Sequence, residues 1–375
     1  MMINIFQPNI PEESKILLEE VFKSKWLGRG NIVDQFEQEL TSFLGIDRQN
    51  FHTVSSCTDA IFSSLRVFDM PKGSTIILPS ISFPAIPSAI IEAGYIPKII
   101  DIDIRSGNIS IDSLESEIDP QCSAVFITDY GGIPNKLDKI KKVIGSRLLF
   151  LDAATSLGTF KSGNFSGFDA DFSCWSFDAM KLLTCGEGGG VFIKDNQIME
   201  AFREYSYLGL PSDGKSGLDK SKDDDRWWEY QLKRPGRRSV FTDINAAIGL
   251  PQVKTLDSRI ERRNDIREQY IRAFSEIEEI SVLEQNQENV RYSNYFFSIL
   301  TNKRDELAYY LKHKGVYSTF RYFPVHMIEI FSKYSSDCNN AKLFSDNILN
   351  IPIHESLTDS EAKEIIKWVK SFYSR

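Results

Sequence analysis

Short apolar runs that alternate with helix-spaced segments constrain the fold of this chain more than any other feature of its sequence. Several of these runs, such as "STIILP" and "RLLFLDAA", are apolar throughout, as in strands that are covered on both faces of a sheet. The segments between them carry apolar residues at helical spacing. The alternation predicts an α/β fold in which helices flank a mostly parallel central sheet. The predicted strands are 74–79, 96–103, 123–130, 147–154, 170–177 and 189–195.

The pattern changes in the last third of the chain. The 375 residues exceed one typical domain, and the C-terminal sequence has the features of a smaller α+β unit. We therefore predict a large α/β domain over 1–250, which includes the N-terminal segment, and a small C-terminal domain over 251–375. The polar stretch 211–241 is assigned to the large domain as a loop. A long helix pattern starts at Thr242, and Pro251 is expected to bend or break it.

The charge and the distribution of apolar residues exclude some classes of partner. The chain has 44 basic and 52 acidic residues and a net charge of −8, which argues against general nucleic-acid binding because such binding needs a basic surface. Apolar runs fall short of the roughly 20 residues that span a bilayer. The N-terminal sequence "MMINIFQPNIPEES" lacks the features of a signal peptide. We expect a cytoplasmic protein with no membrane partner.

The cysteines and histidines give no sign of a metal site. The five cysteines (57, 122, 174, 185 and 338) are scattered without a C-x-x-C pair, and the four histidines form no H-E-x-x-H motif. Free thiols in a reducing compartment are the simplest interpretation. No metal ligand is predicted.

A glycine-rich stretch, "CGEGGGVFIKD", invites comparison with nucleotide-binding loops. A dinucleotide fingerprint places its glycines on a turn from a strand into a helix. Here Gly186, Gly188, Gly189 and Gly190 lead into a strand, so the order is wrong. The P-loop pattern G-x-x-x-x-G-K-[ST] is also missing. The stretch is predicted to be a bend.

Lys181 and Asp152 indicate a functional site only when they are considered together with the residues around them. Each has an ordinary explanation, because a strand-end aspartate can cap a helix and a lysine beside a turn is usually solvated. However, "SSCTDAI" at 55–61 offers hydroxyls and amides at a helix start, where phosphate binds well. Phe83 follows a strand and could stack on a flat ring. The set matches the needs of pyridoxal 5′-phosphate, which takes a lysine anchor and a carboxylate partner for its pyridine nitrogen.

The sequence resembles the DegT/DnrJ/EryC1/StrS family of pyridoxal-phosphate-dependent sugar aminotransferases, which have the aspartate-aminotransferase fold (fold type I). The resemblance runs nearly from end to end, and "LDAATSLG" with "SFDAMKLLTCGEGGGVF" is its most specific part. Other matching stretches are "KSKWLGRGNIVDQFEQELTSFLG", "LPSISFPAIPSAIIEAGYIPKIIDID", "ITDYGGIP", "FTDINAAIGLPQ" and "TFRYFPVHM".

The resemblance implies a role for each matched residue. Lys181 would hold the cofactor as a Schiff base and later move the substrate proton. Asp152 would pair with the pyridine nitrogen, and Phe83 would stack on the ring. The remaining cofactor contacts implied by the match are Cys57, Thr58 and Ser176 at the phosphate and Thr155 near the phenolic oxygen.

The chain departs from the family pattern at three places. Cys57 stands where glycine is common, and Thr155 is shorter than the usual glutamine, histidine or glutamate. Third, "GRRSVF" at 236–241 replaces a stretch that reaches the neighbouring subunit's active site, where Arg238 matches a phosphate contact. Arg234 and Arg237 could join it in binding phosphate, because guanidinium groups match phosphate oxygens. A solvated basic loop is the alternative.

Four residues match stretches that line the substrate entrance in the family. Arg321, Tyr322 and His326 belong to "TFRYFPVHM", and Trp26 belongs to "WLGRG". A histidine packed beside Pro324 and a tryptophan in the core are the alternatives for His326 and Trp26.

The resemblance implies a homodimeric aminotransferase that moves an amino group from an amino acid, expected to be L-glutamate, to a nucleotide-linked keto-deoxysugar. The product would serve surface-glycan or antibiotic sugar synthesis. Three alternatives stay open: another keto substrate, including a small phosphorylated ketone, a pyridoxal-phosphate-binding regulator without turnover, and a dehydratase. Lys181 disfavours the dehydratase, because the family's dehydratases have histidine at that position.

Overall fold

The computed structural model describes residues 2–161, 163–211, 226, 228–229, 231–285 and 287–374. Of the polar stretch 211–241, residues 212–225, 227 and 230 lie outside these ranges. The helices are α1 (Glu13–Ser24), α2 (Asn31–Leu44), α3 (Cys57–Val67), α4 (Ala85–Glu92), α5 (Ile111–Glu117), α6 (Leu137–Ile144), α7 (Asn196–Ser206), α8 (Asp243–Val253), α9 (Leu256–Phe274), α10 (Arg304–His313), α11 (Glu329–Ser332), α12 (Asn339–Asn347) and α13 (Asp359–Tyr373). The strands are β1 (Phe51–Val54), β2 (Thr75–Pro79), β3 (Ile96–Ile100), β4 (Cys122–Thr128), β5 (Leu148–Asp152), β6 (Phe160–Lys161), β7 (Asn164–Phe165), β8 (Phe172–Ser176), β9 (Gly189–Ile193), β10 (Ser281–Val282), β11 (Val290–Arg291), β12 (Phe297–Leu300) and β13 (Ile348–Ile351).

A seven-stranded sheet forms the centre of the protein, in the order β1-β9-β8-β5-β4-β2-β3. Strand β9 runs antiparallel to both of its neighbours, and the other pairings are parallel. The predicted α/β fold with a mostly parallel sheet is thus confirmed, and each predicted run overlaps one strand. Strand β1 was missed, because "FHTV" has only four residues and its two central residues, His52 and Thr53, are polar.

Two hydrophobic cores cover the two faces of this sheet. Successive strand residues point to opposite faces, and along β4 Phe126 packs in one core whereas Val125 and Ile127 pack in the other. Along β5, Phe150 packs in the first core, whereas its neighbours Leu149 and Leu151 pack in the second. Burial on both sides explains why these strands read as continuous apolar runs.

A three-stranded antiparallel sheet, β10-β12-β13, forms the smaller C-terminal unit. Residues of α9, α10 and α13 pack against it in a third core. The long helix pattern is two helices, because α8 ends at Val253, two residues after Pro251, and α9 begins at Leu256. A boundary at residue 250 stays a prediction. The N-terminal segment crosses it, because Ile3 pairs with Val316 and packs in the C-terminal core.

Candidate active site

Asp152 ends β5, in the middle of the central sheet. It lies opposite Thr128 of β4 and Cys174 of β8, at the carboxyl ends of parallel strands, where α/β sheets bind ligands. Its side chain is 4% exposed, and Oδ1 accepts a hydrogen bond of 3.0 Å from the Ala154 amide. Burial raises the pKa of Asp152 above its ordinary value, although the Ala154 amide and Lys181 act in the opposite direction. Such a carboxylate favours a cationic partner.

Lys181 lies on the loop that joins β8 to β9. Main-chain hydrogen bonds close this loop at its base, from the Phe177 amide to the Gly188 carbonyl (2.9 Å) and from the Cys185 amide to the Phe177 carbonyl (2.9 Å). The Lys181 amide donates to the Asp178 carbonyl at 3.0 Å in a tight turn. These bonds fix the position from which the lysine reaches Asp152.

The amine of Lys181 faces two tyrosines and the Asp152 carboxylate. Its Nζ lies 4.8 Å from the centroid of the Tyr295 ring, a cation–π distance. Burial by itself would lower the pKa of Lys181, but Tyr295, Tyr322 and Asp152 together raise that pKa above its ordinary value. Lys181 and Asp152 thus interact electrostatically, and the two groups would stand on either side of a bound pyridine ring.

The start of α3 lies near this pair and has the features that suit a phosphate group. Amides in the first turn of a helix have no partner within the helix, and the helix dipole favours an anion there. Cys57 is the first residue of α3, and exposed Thr58 follows it. Ser56 caps the helix by accepting a hydrogen bond from the Asp59 amide at 3.0 Å. Ser176 ends β8, where its Oγ accepts from the Asp178 amide at 3.3 Å.

The glycine-rich stretch is a bend with a steric purpose. Gly186 has φ +78°, a left-handed conformation that favours glycine. A Cβ on Gly189 would come within 2.6 Å of both the Cys57 amide nitrogen and the Ser56 carbonyl carbon. Glycine at this position lets β9 pass directly behind the start of α3, so the prediction of a bend agrees with the structure.

Two aromatic residues border the cleft above the sheet. Phe83 lies between β2 and α4 and is 44% exposed. Its ring meets that of Tyr322 edge to face at 5.6 Å between centroids. Tyr322 in turn interacts electrostatically with Lys181 and Asp152. Phe83 can therefore present a ring face to a flat ligand, as predicted for a stacking residue.

The hydroxyl of Thr155 is engaged within the chain. It donates a hydrogen bond of 2.7 Å to the Asp129 carbonyl and is buried. Its oxygen can still accept a bond from a ligand, but its proton is directed to the main chain. The predicted cofactor contact through Thr155 stays a prediction.

The three arginines in the segment 234–238 have different surroundings. Arg234 pairs with the buried carboxylate of Glu204 at 3.2 Å, and Arg237 pairs with Asp59 of α3 at 3.0 Å. Both thus neutralise acidic groups of their own chain. Arg238 is exposed, and its guanidinium stacks on the Tyr207 ring at 5.1 Å. Of the three, Arg238 is the one whose position suits contact with a second subunit.

The predicted substrate residues fall into two groups. Arg321 and Tyr322 lie near Lys181. The Arg321 guanidinium contacts the Sδ of Met180 at 3.7 Å, and Tyr322 interacts electrostatically with Lys181. His326 instead hydrogen bonds through Nδ1 with Ser80 Oγ at 2.5 Å, which attaches its segment to the end of β2. Trp26 is 52% exposed, and its indole donates to the Arg29 carbonyl at 2.8 Å. Substrate contact by His326 and Trp26 stays a prediction.

Sequence reasoning missed three residues of this site. Tyr295 contacts the Lys181 amine, Phe6 stacks on Tyr295 at 5.0 Å between centroids, and Cys174 lies beside Asp152. The Arg321 guanidinium covers the Phe6 ring at 5.0 Å. Nothing local in the sequence marks these residues, because each contact joins distant parts of the chain.

The arrangement fits pyridoxal 5′-phosphate. A buried carboxylate, an amine, a helix start and an exposed aromatic ring converge at the carboxyl edge of one sheet, and each meets a separate need of that cofactor. The fold and the site together define a pyridoxal-phosphate-dependent aminotransferase of fold type I.

Comparison with known proteins identifies the family. Residues 8–370 match the DegT/DnrJ/EryC1/StrS aminotransferase family, and the chain belongs to it. The chain is 33% identical to a dTDP-4-dehydro-2,3,6-trideoxy-D-glucose 4-aminotransferase of Saccharopolyspora spinosa, over 97% of this chain and 95% of that protein. It is 25% identical to GDP-perosamine synthase of Escherichia coli O157:H7, over 99% of each. The crystal structure of the aminotransferase TlmJ from Streptoalloteichus hindustanus superposes with a TM-score of 0.91 at 32% identity, over 99% of this chain and 98% of that one.

The same comparisons confirm three predictions: the fold type, the pyridoxal-phosphate cofactor and transaminase activity. Among the described residues, no helix is both long and apolar enough to cross a membrane.

Proposed function

We propose that this protein transfers an amino group from L-glutamate to a keto group of a nucleotide-linked keto-deoxysugar, in the cytoplasm, for the synthesis of a surface glycan or an antibiotic sugar. The observation that carries amino transfer is the Lys181–Asp152 pair beside the start of α3. The sugar is inferred from relatives, since two of them are named for dTDP-linked and GDP-linked sugar substrates or products. The donor is inferred from the family resemblance.

The cofactor, when bound, supplies an aldehyde that accepts the amino group and a ring that withdraws electrons from the bond being broken. The chain's own residues position it and move the proton. Asp152 would hold a positive charge on the ring nitrogen, because its buried carboxylate gains from a cationic partner. The start of α3 would bind the phosphate, and Phe83 would restrain the ring plane.

Lys181 has two tasks in this proposal. Its amine would anchor the cofactor in the resting enzyme and, once free, would act as the base that moves the proton of the donor carbon. The loop bonds at Phe177, Cys185 and Gly188 keep the amine within reach of both positions. Histidine could not perform the anchoring task, because its ring nitrogens do not form a stable imine.

Each active site is proposed to include residues of two subunits. Arg238 lies next to Ser239, whose Oγ is 3.3 Å from the Oγ of Ser55 at the start of α3. The arginine itself points to Tyr207 and solvent. In a homodimer it would supply a cation to the partner's phosphate site, as the family resemblance implies.

The test is an amination assay with glutamate and three kinds of acceptor: a dTDP-linked 4-keto-6-deoxysugar, a GDP-linked one and a small phosphorylated ketone. We expect an amino sugar and 2-oxoglutarate from one of the nucleotide-linked acceptors, and no product with Lys181→Ala. Amination of the small ketone alone would contradict the proposed substrate class but not amino transfer. Failure with every acceptor, together with no amine exchange from glutamate to the bound cofactor, would contradict the function itself.

A further inference from the structure

We propose that the cofactor-free protein binds one thiophilic divalent metal ion, such as Zn²⁺, through Cys57, Cys174 and Asp152. The Sγ atoms of the two cysteines and one carboxylate oxygen of Asp152 lie within 4.8 Å of one another, and all three side chains are buried. Two thiols and a carboxylate are a ligand set that Zn²⁺ and Co²⁺ favour. Their positions in the sequence follow no metal-binding spacing, so only the fold reveals the group.

Three separate elements hold these ligands, which makes the site rigid. Cys174 lies on β8 directly opposite Asp152 on β5, and Cys57 is the first residue of α3. The exposed fraction is 0% for Cys174, 4% for Asp152 and 8% for Cys57. A tetrahedral zinc ion with Zn–S bonds of about 2.3 Å places its sulfur ligands about 3.8 Å apart. Closing from within 4.8 Å to that spacing needs side-chain movement of roughly 1 Å or less.

The local charge also suits a dication. Two thiolates and the Asp152 carboxylate bring three negative charges, which a divalent ion and the neighbouring Lys181 ammonium together neutralise. A water molecule would complete four-fold coordination. A monovalent ion would leave this buried group with an uncompensated charge, which is costly.

The ion and the cofactor should exclude each other. This part rests on the proposed function, in which Asp152 pairs with the pyridine nitrogen of the bound cofactor. A carboxylate that coordinates the metal cannot serve the ring at the same time. Metal would therefore occupy the cofactor-free protein and leave, or fail to bind, when pyridoxal phosphate is present.

Titration of cofactor-free protein with Co²⁺ tests the site directly, because thiolate ligation gives Co²⁺ a charge-transfer absorption and tetrahedral geometry gives it intense visible bands. Cofactor is removed with hydroxylamine, and a phosphine reductant keeps the thiols reduced. We expect one Co²⁺ per chain, displaced by Zn²⁺ and released by one equivalent of pyridoxal phosphate. Cys57→Ser and Cys174→Ser should each lose about half of the charge-transfer intensity and bind at least tenfold more weakly.

Cys122→Ser is the matched control, since Cys122 is a buried free cysteine outside the ligand group, and it should bind Co²⁺ like the wild type. Cys57→Gly, which introduces the residue that is common at this position in the family, serves if Cys57→Ser does not fold. Absence of thiolate bands in the wild-type apoprotein, or bands that survive loss of both cysteines, would overturn the proposal. Bands of equal strength in the cofactor-loaded protein would overturn the exclusion. None of these outcomes alters the amination assay, so the two proposals fail separately.

Discussion

At the scale of single residues, the site depends on how a few side chains stabilise the Lys181 amine. Lys181 and Asp152 could be predicted from the sequence because the family motif fixes both. Tyr295 could not, because its ring reaches the amine from the start of β12, over a hundred residues away. Substrate contact by His326 stays a prediction, and the sequence did not reveal that its Nδ1 is bonded to Ser80 Oγ.

Replacing Tyr295 by leucine should lower kcat about five- to tenfold, because the cation–π contact with the Lys181 ammonium contributes about 1 kcal/mol. Tyr295→Phe keeps the ring and loses only the hydroxyl, which donates to the Met180 carbonyl at 3.3 Å. It should therefore stay within about twofold of the wild type. Steady-state kinetics over a range of pH measures both. An equal loss of kcat in the two variants would assign the effect to the hydroxyl and contradict the role of the cation–π contact.

His354 should make folding stability depend on pH. Burial, aided by the Arg263 guanidinium, lowers the pKa of His354 to about 4, whereas an unfolded histidine has a pKa of about 6.5. Between these values the unfolded chain binds a proton that the folded chain does not, so stability falls as pH decreases. The loss between pH 7.5 and pH 5 is about 2 kcal/mol.

Denaturant unfolding at several pH values checks this prediction. His354→Gln should flatten the pH dependence by about 2 kcal/mol over that interval. His313→Gln, at an exposed position on α10, is the control and should leave the pH dependence of stability as in the wild type. A His354→Gln profile parallel to that of the wild type would refute the assignment.

At the scale of elements, the packing of β9 against the start of α3 links the glycine-rich bend to cofactor binding. The sequence predicted both elements, since a helix start rich in hydroxyls and an apolar strand are local patterns. Their contact is not local, and neither is the meeting of Cys57 with Cys174, so neither could be predicted. The buried strands were easy to predict because both of their faces are covered.

Gly189→Ala should weaken cofactor binding at least tenfold. The new Cβ would collide with main-chain atoms of Ser56 and Cys57 at 2.6 Å and push the first turn of α3 away from the phosphate. Overpacking of this kind costs about 1–3 kcal/mol. Gly28→Ala is the matched control, because its Cβ would meet the Trp26 ring at an ordinary 3.8 Å. Cofactor dissociation constants from absorbance titration compare the two, and similar values would contradict the steric argument.

At the scale of the whole molecule, a buried ionic cluster ties the N-terminal segment, α9 and the C-terminal unit together. Glu355 accepts from Arg259 at 3.2 Å and from Arg263 at 3.0 Å, and all three side chains are nearly inaccessible. Arg259 also donates to the Asn9 carbonyl at 2.6 Å. The bond to Asn9 crosses the predicted domain boundary. No local pattern in the sequence marks the cluster, because its members come from three distant segments.

Glu355→Ala should destabilise the protein by about 3–5 kcal/mol, because it leaves two buried guanidinium groups without their carboxylate. Asp257→Ala removes an exposed partner of Arg291 and should cost about 0–1 kcal/mol. Urea denaturation measures both variants. A loss for Glu355→Ala no larger than that for Asp257→Ala would show that the cluster does not hold the units together.

The central claim is that one amine, that of Lys181, carries pyridoxal phosphate. Borohydride reduction of the purified holoprotein, followed by peptide mapping by mass spectrometry, tests it most directly, because reduction makes the link between lysine and cofactor permanent. The account predicts a single phosphopyridoxyl group on the peptide that contains Lys181, and none on Lys181→Ala. A modified lysine elsewhere in the chain, or an unmodified Lys181 peptide in an active enzyme, would contradict it.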